Sequence, residues 1–96
     1  MALEDQLGNV GSEVGRAIRA KADHDERRFV GALDRALELL DLTLADPRWH
    51  GPRTREIARA REVVCDFLVG DNDYQSTPEA VDAYFLTFAI AARRGR

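Results

Sequence analysis

The sequence predicts a small all-α protein, an antiparallel helical bundle, and three observations point there. Apolar residues recur at helical spacing in four stretches, proline, glycine and polar turn residues separate those stretches, and no alternating pattern marks a strand. Three of the helices read as firm and one, at the N-terminus, as weaker. At 96 residues the chain has room for a single core.

The first stretch, residues 2–21, stacks Leu3, Leu7, Val10, Val14 and Ile18 on one stripe. Gly8, Gly11 and Gly15 share one flank, and each weakens a helix interior by about 0.5–1 kcal/mol relative to alanine. They permit close approach of a second helix, but the reading adopted is a weak helix that orders on docking. Residues 1–22 are then an accessory segment and residues 23–96 the bundle core.

The second stretch, residues 24–45, has Asp23 as its cap, Asp25 and Glu26 at the positive helix end, and the stripe Phe29, Leu33, Leu37, Leu40 and Leu44. Asp46-Pro47 ends it, because proline pushes the preceding residue out of the α region. The third helix spans about residues 53–69, with Pro52 suited to the first turn, Gly70 to the end, and Ile57, Ala60, Val64, Phe67 and Leu68 as the stripe. Ser76 or Thr77 caps the fourth, which runs to about residue 93 and sets Arg93 and Arg94 at its negative end.

Composition narrows the function classes. A net charge of −3 argues against a general nucleic-acid binder. Cys65 is the only cysteine, so no disulfide framework exists, and the longest apolar run, residues 83–92, falls short of the roughly 20 residues of a membrane span. With no charged-then-apolar leader at the N-terminus, a cytoplasmic protein without a membrane partner is expected.

Little in the sequence suggests catalysis. Neither His24 nor His50 has a carboxylate three residues before it, so the metal pattern of helical bundles is missing, and no metal or cofactor is expected. Residues 71–75 begin like a calcium loop, but Ser76 stands where the sharp turn requires glycine and Asp82 where glutamate should close the site. Cys65, beside Val64 and Leu68 and without a nearby histidine, reads as a small core residue. The chain is therefore expected not to be an enzyme.

Two features exceed what a plain bundle needs. Arg48, His50, Arg53 and Arg55 gather with Trp49 at the start of the third helix, where the helix dipole already favours an anion. Trp49 is expected to be partly buried at this join. Arg61 falls inside the apolar stripe of the same helix and needs a carboxylate, for which Asp34 and Asp41 are candidates. The second feature is surplus apolar surface: Leu39 and Leu42 on the second helix, and Leu86 and Ile90 on the fourth, lie away from the main stripes. The leading expectation is an interaction module that forms a homodimer, or docks on another protein, through Leu39, Leu42, Leu86 and Ile90. The alternative is a nucleic-acid-associated or anion-binding regulator using Arg48, His50, Arg53 and Arg55.

Overall fold

Short connections force neighbouring helices to run antiparallel. The computed structural model follows that rule with α1 (Leu3–Ala22), α2 (Glu26–Ala45), α3 (Pro52–Leu68) and α4 (Pro78–Arg94), and it describes residues 2–94, the side chains of residues 92–94 excepted. The expected placement of the Arg93 and Arg94 side chains lies outside the described residues. Contacts between distant residues fix the up-down-up-down order. Glu13 bonds Arg35 between α1 and α2, Lys21 at the end of α1 donates to the Leu68 carbonyl at the end of α3, and Tyr84 of α4 bonds Glu56 of α3.

The α1–α2 turn is tighter than expected, which moves the α2 cap from Asp23 to Asp25. His24 takes a left-handed conformation, φ 54°, its N–H bonds the Lys21 carbonyl, and the Asp25 N–H bonds the Ala20 carbonyl. These two bonds close α1 in a Schellman motif. Asp25 is then free to accept the Arg28 N–H at 3.1 Å and start α2 immediately. At α3 the position before Pro52 is Gly51, φ 63° and ψ −129°, a backbone that side-chain-bearing residues rarely adopt. Thr77 caps α4, its hydroxyl accepting the Ala80 N–H.

The loop before α4 owes its polar letters to hydrogen bonding within the chain. The Asp66 carboxylate accepts the N–H groups of Asp73 and Tyr74, and the Asn72 side chain bonds both the N–H and the carbonyl of Ser76. Among the described residues no group of three His, Cys, Asp or Glu side chains stands close enough to hold a metal ion. No described helix is long and apolar enough to cross a membrane.

The N-terminal helix is where the structure departs most from expectation. Leu7, Val10, Val14, Ala17 and Ala20 of α1 are wholly buried, more residues than any other helix places so deep. α1 lies between α2 and α4 and runs close to both along much of its length. The three glycines explain the α4 side. A Cβ on Gly11 would lie 2.4 Å from the Phe85 Cβ, and one on Gly8 would lie 3.5 Å from the Ala89 Cα, so α4 rests directly on the glycine flank. A flank read as a propensity defect is therefore a packing surface, and α1 belongs to the core together with Ala32, Ala36, Leu40, Ile57, Ala60, Val64, Val81 and Phe85.

Two α3 residues show what a 100° step per residue does. Arg61 reaches out of the stripe to bond Asp41 at 2.9 Å, one of its two candidate partners, and the carboxylate raises the guanidinium pKa further. Cys65 is only half-buried, because Val64 takes the inward position, and its Sγ lies 3.8 Å from an Arg61 nitrogen.

Candidate functional site

The arginines at the start of α3 do not converge. Arg48 grips Asp46, donating from Nε to both carboxylate oxygens at 3.1 Å and from Nη2 to Oδ2 at 2.6 Å. That side-chain pairing, with a backbone N–H bond from Arg48, holds the Asp46 carboxyl far below the ordinary carboxylate range. The Arg48 guanidinium also stacks over the Trp49 ring, 4.7 Å from its centroid, and Arg53 lies 5.7 Å from the same ring. Trp49 is half-buried and packs on the core, its indole N–H donating to Gln6 of α1 at 2.7 Å. Arg55 sits two residues beyond Arg53, about 200° around the helix. It lines a different groove, with Arg59, Glu62 and Tyr74. His50 is exposed. Of the four expected anion-site residues, only Arg48 and Arg53 share a surface, and Arg48 is already neutralised.

The expected apolar residues also separate. Leu39 is half-buried against the core, while Leu42 is 62% exposed among Glu38, Asp41 and Ala45 on the outer face of α2. Leu86 and Ile90, 55% and 40% exposed, stand one turn apart on α4. Leu86 borders a groove of about 560 Å³ between α1 and α4, with Gly8, Gly11, Ser12 and Gly15 along one wall and Ala83 and Leu86 on the other. The groove ends among Arg19, Glu79 and Asp82. An aliphatic ridge and a glycine-floored trough thus lie side by side on one patch.

The aromatic residues of α4 brace that patch from behind. Tyr84 packs edge-on to Phe85 and Phe88, with ring centroids 5.1 and 5.3 Å apart, and donates its hydroxyl to Glu56 at 2.8 Å. Burial and the neighbouring Glu56 carboxylate push the Tyr84 phenol above its ordinary pKa, so it stays neutral. Searches against protein-family models, curated proteins and solved structures return no match for the chain.

Proposed function

We propose that the protein is a non-enzymatic helical module that pairs with a second copy of itself through the outer face of α4 and the groove between α1 and α4. The observation that carries this reading is the adjacency of ridge and trough on one patch. A two-fold interface uses the same surface on both subunits, so that surface must be complementary to itself. Leu86 and Ile90 supply the protruding half, and the groove between α1 and α4, bordered by Gly8, Ser12 and Ala83, the receiving half. Full burial of a leucine or isoleucine contributes about 1.5–3 kcal/mol, and these two are already partly covered. Association also costs translational and rotational freedom, so the dimer is expected to be weak and concentration-dependent.

Sedimentation across a wide concentration range tests the reading. The wild type should shift from monomer towards dimer, and Leu86→Glu and Ile90→Glu should each hold it monomeric with unchanged thermal stability. Leu42→Glu, on the other side of the bundle, should dimerise like the wild type. A wild type that stays monomeric at the highest concentration overturns the proposal. The alternative of an anion-binding regulator draws little support from the start of α3, where Asp46 neutralises Arg48 and Arg53 and Arg55 face apart.

A further inference from the structure

Beside the trough, with Arg19 bordering both, α1 and α2 flank a second groove of about 460 Å³ whose walls are arginine: Arg16 and Arg19 from α1, and Arg27, Arg28 and Arg35 from α2. Gly31 forms its floor, with Arg27 and Arg35 one turn to either side of it. Nearby carboxylates organise this cluster without cancelling it. Glu13 bridges the two helices, accepting from Arg16 Nη1 at 2.7 Å and Arg35 Nε at 3.0 Å, and Asp23 and Asp25 lie 3.5 and 3.6 Å from Arg28. Arg19 and Arg27 form no ion pair among the described residues. Each guanidinium has five N–H donors, of which Glu13 engages one on Arg16 and one on Arg35.

The placement of the cations adds to the argument. Arg27 and Arg28 occupy the first turn of α2, where the helix end is already positive and repels them. A bound anion relieves this repulsion and that among the arginines together. Arginine forks match phosphate oxygens in paired bonds, which favours phosphate over a simple halide. The groove is also short: residues 27 to 35 of α2 rise about 12 Å. Beyond it lie Asp34 and Glu38 on α2 and Glu79 and Asp82 on α4, onto which an extended polyanion would run. No aromatic ring lines the groove to stack a base.

We infer that the arginine groove between α1 and α2 binds a compact ligand carrying two or more linked phosphates. Such a chain comes either from free polyphosphate or from a nucleotide. Calorimetry at low salt with inorganic tripolyphosphate and with ATP separates the sources: equal affinity means that the phosphate chain alone is read, and tighter ATP binding means that the nucleoside contributes. Arg27→Gln and Arg19→Gln should each weaken tripolyphosphate binding about tenfold or more, as loss of a charged hydrogen bond implies. Arg53→Gln with Arg55→Gln should leave it unchanged. Arg27→Gln should be at least as heat-stable as the wild type, so its loss of binding cannot be unfolding. Ile90→Glu, at a residue that borders neither groove, should bind tripolyphosphate normally, which keeps this inference independent of dimerisation. Three results overturn it: no binding of tripolyphosphate or ATP at low salt, loss of binding in the Arg53 and Arg55 variant instead, or affinity for single-stranded oligonucleotides that exceeds ATP and climbs with length.

Discussion

Two seams of this bundle are built on opposite plans. Where α1 meets α4 the residues are small, and the Gly11 backbone nearly touches the Phe85 Cβ. Around α3 the residues are large: Ile57, Val64 and Leu68 are buried, Phe67 and Val63 pack behind them, and the α3 backbone approaches α1 and α2 at few places. The first seam holds by proximity of helix axes and, at Gly11, leaves no space for an added atom. The second holds by side-chain volume and leaves space when atoms are removed. The same size of change should therefore have opposite consequences at the two seams.

Ile57→Ala should show the larger effect, a loss of about 2–5 kcal/mol in chemical denaturation, because a wholly buried side chain is replaced by a cavity. At the close seam the damage comes from addition. Gly11→Ala should destabilise by about 1–3 kcal/mol, overriding the propensity gain of alanine, since the atom it meets is a Cβ fixed to the α4 backbone. Gly8→Ala sharpens the contrast from one residue turn away. Its Cβ would sit at ordinary contact distance from Ala89, so it should stabilise by about 0.5–1 kcal/mol. Equal losses at Gly8 and Gly11 would break the account of the seam.

Away from both seams the effects shrink. Leu42→Glu should change stability by less than about 0.5 kcal/mol. Smaller still is the acid-side effect of Asp46, whose carboxylate is largely covered but whose partner Arg48 is half exposed, so that solvent screens the pair. Its folded pKa is depressed, so its pairing with Arg48 contributes above the ordinary carboxylate pKa and is lost as pH falls through the folded value, below about pH 4. Asp46→Asn should remove only that part of the pH dependence in denaturation curves.

The same contrast explains what the sequence made legible. Periodicity finds seams made of large apolar residues, and the stripes of α2 and α3 and the Leu3, Leu7, Val10 and Val14 stripe of α1 all turn inward or pack on the core. It undervalues a seam made of absent side chains. Whether Gly11 is a defect or a contact depends on Phe85, which lies far along the chain. The Arg61 pair with Asp41 was foreseeable because an arginine inside an apolar stripe demands a carboxylate. The arginines at the start of α3 looked closer in sequence than they are in space, because residues two apart, such as Arg53 and Arg55, point to different sides of a helix. Conversely Arg19 and Arg27 line one groove although Asp23, Asp25 and Glu26 stand between them in sequence and hide the cluster. Leu86 and Ile90 were legible as surplus surface, whereas Leu39, at the edge of its stripe, is half covered by the core.

The hydrogen bond from Trp49 to Gln6 gives the chain a built-in optical gauge. This is the sole tryptophan, and its ring spans the place where α1 meets the connection between α2 and α3. Its emission therefore reports whether the first helix is seated against the α2–α3 connection. If α1 lifts off while the other helices stay formed, the indole loses its partner to water and its emission moves to longer wavelength, with little change in far-ultraviolet circular dichroism. Following the two signals during unfolding would show whether the glycine seam gives way before the rest of the bundle or together with it.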